Sequence, residues 1–93
     1  MAIEVRIPPI LRTYTDGEKA VTADGGSIGA LIEDLESNHP GIKGRLLDDQ
    51  GDLRRFVNVY VNDEDVRFTG GLATPVNDGD QVVVLPAVAG GAG

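Results

Sequence analysis

The chain has no cysteine and no tryptophan, one histidine, one methionine, two tyrosines and two phenylalanines among its 93 residues. Without cysteine there is no disulfide, thiolate metal site or thiol nucleophile. A single histidine, His39, removes any His-rich metal site within one chain. Basic residues are also few: eight against 15 acidic ones, for a formal charge of −7. Arg6, Arg12, Lys19, Lys43, Arg45, Arg54, Arg55 and Arg67 are scattered, with only Arg54 and Arg55 adjacent. Nucleic acid is therefore not an expected partner, since its phosphates need a segregated basic face. No apolar stretch approaches the roughly 20 residues that span a bilayer, and the alternating start does not look like the centre of a signal peptide. A soluble, cytoplasmic, single-domain protein that does not engage membranes is expected.

What is present is enough apolar material for one core, 41% of the chain, arranged with clear periods. Ile3, Val5 and Ile7 alternate with Glu4 and Arg6, the period-two pattern of a half-buried strand. Pro8-Pro9 interrupts pairing, and Ile10 to Arg12 reads as a resumed extended path. Asp16-Gly17 marks a turn into a second strand from Glu18 to Ala23, together an irregular hairpin. Ser27 is placed to cap a helix over residues 28–38, in which Ile28, Leu31, Ile32 and Leu35 form one apolar stripe. His39-Pro40-Gly41 stops it. His39 at that end suits a cation near the helix's negative pole rather than catalysis.

Ile42, Leu46 and Leu47 suggest one short helical turn. Phe56 to Val61 is a β-branched and aromatic strand, with Val57, Val59 and Val61 toward the core and Phe56, Asn58 and Tyr60 on the opposite face. Residues 62–65 read as a turn and Val66-Arg67-Phe68 as a short strand. Gly70-Gly71 and Asn77 to Asp80 are turns flanking Leu72 to Val76. The nearly all-apolar Gln81 to Leu85 is expected to be a central strand, covered on both faces or flanked by partners, and ended by Pro86. One helix over a mixed sheet of four to five strands is an α+β arrangement whose second face lies open.

Catalytic constellations are missing. The carboxylates at Asp48-Asp49 and Asp63-Glu64-Asp65 fall in turns, where they are solvated rather than held in a shielded pocket, and the second run lacks the spacing of a calcium loop. The glycine pairs at 25–26 and 70–71 lack the strand–loop–helix context of a phosphate cradle. The end of the chain, Val88-Ala89-Gly90-Gly91, differs: glycine without a β-carbon can enter a narrow cleft, and the five residues from Ala87 to Gly91 can reach roughly 17 Å at ~3.4 Å each. By itself such an end is also what an ordinary frayed terminus looks like.

Four blocks carry a family resemblance: Ile7-Pro8-Pro9-Ile10-Leu11-Arg12, the run from Arg55 to Phe68, Gly70-Gly71-Leu72-Ala73-Thr74, and Leu85-Pro86-Ala87-Val88-Ala89-Gly90-Gly91. In this register the chain resembles the ThiS/MoaD sulfur carriers of the ubiquitin-like β-grasp fold, in particular the CysO-type carriers, over nearly its whole length. The resemblance implies a β-grasp domain over 1–86 and a flexible tail over 87–93. It implies no catalytic residue, bound cofactor or metal in this chain, so that the protein is a co-substrate and not an enzyme. An E1-like activating enzyme of the MoeB/ThiF type would use ATP and magnesium to adenylate the terminal glycine, and a sulfur source would convert it to a thiocarboxylate. A PLP-dependent cysteine synthase, or another acceptor such as a thiosugar synthase, would take the sulfur, and a JAMM-type zinc peptidase would act in the same system.

Family members ready for activation end at Gly-Gly, whereas this chain continues with Ala92 and Gly93. Removal of these two residues would leave Gly90-Gly91 as the working end. Phe56, Asn58, Tyr60, Phe68 and Val88 are the expected partner-docking residues of a monomer; alternatively, some of these aromatics close a small cluster under the 42–55 loop. Two other functions share the architecture: a ubiquitin-like modifier joined to lysines, and a β-grasp interaction module whose tail does no chemistry.

Overall fold

The computed structural model describes residues 3–55 and 57–86. Five strands form one mixed sheet: β1 (Ile3–Arg6), β2 (Ala20–Ala23), β3 (Val57–Val61), β4 (Glu64–Asp65) and β5 (Gln81–Pro86), in the spatial order β2-β1-β5-β3-β4. Helix α1 (Ile28–Asn38) and the single turn α2 (Lys43–Leu46) lie between β2 and β3 in the chain. β5 is the central strand, parallel to β1 with Val5 opposite Val82, and antiparallel to β3 with Val59 opposite Val84. This is the ubiquitin-like β-grasp arrangement.

Alternation decides which face is covered. Ile3, Val5, Val59, Val82 and Val84 point to the helix side and are buried, as are Ile28, Leu31, Ile32 and Leu35 of α1. Ser27 starts α1 as expected: its side chain accepts from the Ala30 amide at 3.2 Å, satisfying one of the donors that the first turn leaves unpaired. The approach of β2 to the helix requires Gly25. Its φ is +152°, and a β-carbon there would sit 2.7 Å from the Leu31 nitrogen. His39 closes the helix, donating its backbone N–H to the Leu35 carbonyl at 2.7 Å. Glu36 then reaches out of α1 to accept from the Gly41 and Lys43 amides, tying the two helices together. Those backbone bonds, with the nearby Lys43 charge behind them, hold its carboxyl below the ordinary 4.5.

Three local expectations are corrected. Residues 9–15 form a 3-10 helix, Pro9–Thr15, instead of an extended path at Ile10–Arg12. Proline early in the helix supplies the helical φ, and its missing N–H costs nothing there. The turn after β3 contains only Asn62 and Asp63, both with positive φ, so pairing resumes at Glu64 and the turn is tighter than 62–65. Val66–Phe68 is a 3-10 turn rather than a strand. The Asp65 carboxylate accepts from the Arg67 amide at 2.9 Å, and this local bond competes with ladder pairing. β5 is central as expected, flanked by β1 and β3 and covered on one face: Val82 and Val84 are buried, Val83 is half-buried and Leu85 is exposed.

Candidate functional site at the end of the central strand

The sheet brings β5 to its end at Pro86, paired with Val57 of β3. Val88, Gly90, Gly91, Ala92 and Gly93, singled out in the sequence, lie outside the described residues, as does Phe56. Asn58 and Tyr60 stand half-buried on β3, on the face away from the helix. The Asn58 Oδ1 accepts from Arg67 Nη1 at 2.5 Å. Phe68 is 87% exposed on the neighbouring 3-10 turn. Asn58 and Tyr60 thus share the face away from the helix, and Phe68 is exposed on the turn that follows β4.

A groove of about 770 Å3 opens beside the end of β5. Its apolar wall comes from the Pro8–Leu11 segment on one side and from Val84, Leu85 and Pro86 on the other. Its rim is basic, with Arg45 after α1 and Arg54 and Arg55 before β3. Of the three large apolar side chains exposed among the described residues, two belong to this groove: Ile10 at 70% and Leu85 at 45%.

The basic rim is held in place from behind. Arg45 Nε donates to the Tyr14 hydroxyl at 2.7 Å, with its guanidinium carbon 5.9 Å from the ring centroid. That hydrogen bond pushes the arginine's pKa further up. Tyr14 is packed in turn against Gly41, where a β-carbon would lie 2.9 Å from the ring. Arg54 Nε donates to the Gly44 carbonyl at 3.0 Å. Arg67 fixes the segment that carries Arg54 and Arg55, donating to the Arg54 carbonyl at 2.8 Å and to the Val57 carbonyl at 2.6 Å.

Sequence reasoning missed this groove. The adjacent Arg54-Arg55 was the visible signal, but Ile10 and Leu85 are far from it in the chain. Among the described residues, no cluster of His, Asp or Glu could hold a metal ion, and no helix is long and apolar enough to cross a membrane. His39 lines a separate open groove beside Glu4 and Glu18.

With the β-grasp sheet, the central β5 and the glycine-rich continuation after Pro86 established, comparison with known proteins settles the family. The model of the ThiS family matches residues 5–91. The chain belongs to the ThiS family. It is 60% identical over 93 residues to the sulfur carrier protein CysO of Mycobacterium tuberculosis, covering 98% of this chain and all of that protein. The crystal structure of that CysO superposes with a TM-score of 0.90 at 59% identity, over 92% of this chain and 99% of the other. A chain of the Amycolatopsis orientalis BexX/CysO complex matches with a TM-score of 0.90 at 58% identity, over 96% and 99%. The small archaeal modifier protein 3 of Haloferax volcanii is 36% identical, over 98% of this chain and all of that protein.

Proposed function

We propose that this protein is a sulfur carrier whose reactive group is its own C-terminal carboxylate. The observation that supports this most is the family match, whose last matched residue is Gly91, the second glycine of Gly90-Gly91. An oxygen of the glycine carboxylate attacks the α-phosphorus of ATP on an E1-like activating enzyme, and pyrophosphate leaves. A sulfide equivalent then attacks the acyl carbon, AMP departs, and a thiocarboxylate remains. Glycine presents no side chain to obstruct either step. With no cysteine in the chain, no internal thiol competes for the activated acyl group. The folded body supplies no catalytic base to this sequence; it positions the end and is recognised.

Ala92 and Gly93 are removed first, by a peptidase of the JAMM zinc type. The sulfur passes to a PLP-dependent cysteine synthase or to another acceptor such as a thiosugar synthase; the similarity to a chain of the BexX/CysO complex supports docking on a partner protein. Intact-mass analysis tests the proposal. A chain ending at Gly91, incubated with ATP, the activating enzyme and a sulfide donor, should exchange one oxygen for one sulfur, and the 93-residue chain should not. Equal loading of both forms, at Gly93 in the longer one, would remove the processing step; loading of neither would remove the carrier function. The similarity to a small archaeal modifier protein favours one other reading, attachment to lysines of target proteins, which would appear instead as isopeptide-linked products.

A further inference from the structure

Charge is distributed unevenly on this molecule. The chain carries −7 overall, yet three of its eight basic residues converge on the groove at the end of β5. The single carboxylate among the groove residues is Asp48, whose Oδ1 already accepts from the Gln50 and Asp52 amides of its own loop. Among the described residues the ion pairs are Arg6 with Glu4 and Lys43 with Glu33, and neither involves the groove. Arg45 and Arg54 are exposed and hydrogen-bonded through Nε alone, to Tyr14 and Gly44, and their terminal Nη groups have no hydrogen-bond partner among the described residues. Arg55 is exposed and has none there either. The same groove is lined by Ile10 and Leu85, both exposed.

A fixed guanidinium presents a fork that fits a carboxylate in two-pronged fashion. With two of them held through Nε and a third exposed beside them, none in an ion pair among the described residues and all lining a groove with exposed apolar side chains, the three arginines define a ligand that is both anionic and apolar. We propose that this groove docks an acidic segment of a partner enzyme, one that places an aliphatic or aromatic side chain between Ile10 and Leu85 and carboxylates against Arg45, Arg54 and Arg55. The inference rests on the carrier reading for why a partner must grip here: the groove adjoins Pro86, directly before the residues that lead to Gly91. An acidic partner is repelled by the rest of this anionic surface and attracted at one place, so the charge pattern fixes orientation as well as encounter.

The test needs no sulfur chemistry. The full-length protein, 15N-labelled, is titrated with a blocked pentapeptide of four glutamates around a central leucine and, separately, with its four-lysine counterpart. The glutamate peptide should shift the amides of Leu11, Arg54, Arg55 and Leu85, and its affinity should fall about tenfold between low and 0.5 M salt. The double variant Arg54→Ala/Arg55→Ala should lose about tenfold in affinity with the rest of its spectrum unchanged, and Arg54→Lys/Arg55→Lys should lose less. No shift, shifts confined to other faces, or an equal response to the lysine peptide would overturn the proposal. Inorganic triphosphate acting at the same concentration would overturn it too, by reducing the groove to a general anion site. Contacts between the Ala89 or Ala92 methyl groups and Leu85 in the unliganded protein would do so by showing the chain's own end in the groove. Thiocarboxylate formation without peptide binding would sink the docking site alone, whereas peptide binding without any thiocarboxylate would sink the carrier function alone.

Discussion

The two faces of the sheet follow different rules. On the helix side, Ile3, Val5, Val59, Val82 and Val84 meet Leu31, Ile32 and Leu35, and every one of these side chains is buried. On the other side, Asn58 and Tyr60 stand beside half-buried Val83 and exposed Leu85, and at the end of β5 three arginines line the groove. The covered face supplies stability through the removal of apolar surface from water. The uncovered face, and the groove at the end of β5, are poorly explained by stability, because exposed apolar and unpaired charged groups contribute little to it. The division teaches that one sheet separates holding the fold from being recognised.

Substitutions should break that division in a graded way. Leu31→Ala, in the covered layer, should cost about 2–5 kcal/mol through lost burial and the cavity left behind, read as a lowered urea midpoint. Gly25→Ala should cost about 1–3 kcal/mol, because a β-carbon would strike the first turn of α1 at a backbone conformation that favours glycine. Ser27→Ala removes the helix cap and should cost about 1 kcal/mol. At the wet face, Leu85→Ala should change stability by no more than about 0.5 kcal/mol while weakening the acidic peptide's binding. A loss from Leu85→Ala as large as that from Leu31→Ala would erase the distinction between the faces.

Acid should act through the exposed caps rather than through either face. Glu36 has its pKa lowered in the folded state by the Gly41 and Lys43 amides. Asp80 is lowered by the Asn77 amide and the Asn62 side chain. A depressed folded pKa gives stability that is present above the unfolded value and is lost as pH falls through the folded one. Wild type should therefore exceed Glu36→Gln in stability above about pH 4.5, the ordinary value for this carboxyl, and the two should converge below it. Urea midpoints across a pH series would check this, and a constant difference at every pH would rule out the linkage.

How much was legible depended on the range over which the signal acts. α1 was readable to the residue, because its cap, its apolar stripe and its His-Pro-Gly stop are all local. β3 and β5 were readable from their runs of β-branched residues, and the centrality of β5 from its near-continuous apolar content. That content did not mean burial on both faces, since Leu85 lies at a groove and not under a second layer. The 3-10 helix after Pro8 and the one after Asp65 were misread as extended, because a proline start and a single carboxylate-to-amide bond outweighed strand-like composition over three residues. Of the expected docking residues, Asn58 and Tyr60 were given a correct face by alternation, but their neighbours could not be inferred: Asn58 is bound to Arg67, nine residues on.

By itself the sequence determined the order of elements, the residues of the covered layer and a glycine-rich end beyond a central strand. Periodicity, capping and backbone freedom are properties of short stretches, and they survive without knowledge of the rest. Only the tertiary structure decided that Ile10, Arg45, Arg54, Arg55 and Leu85 share one groove beside Pro86. Convergence of distant side chains is set by strand order and by packing, as when Tyr14 steadies Arg45 and Arg67 steadies the turn that carries Arg54, and neither leaves a periodic trace in the chain.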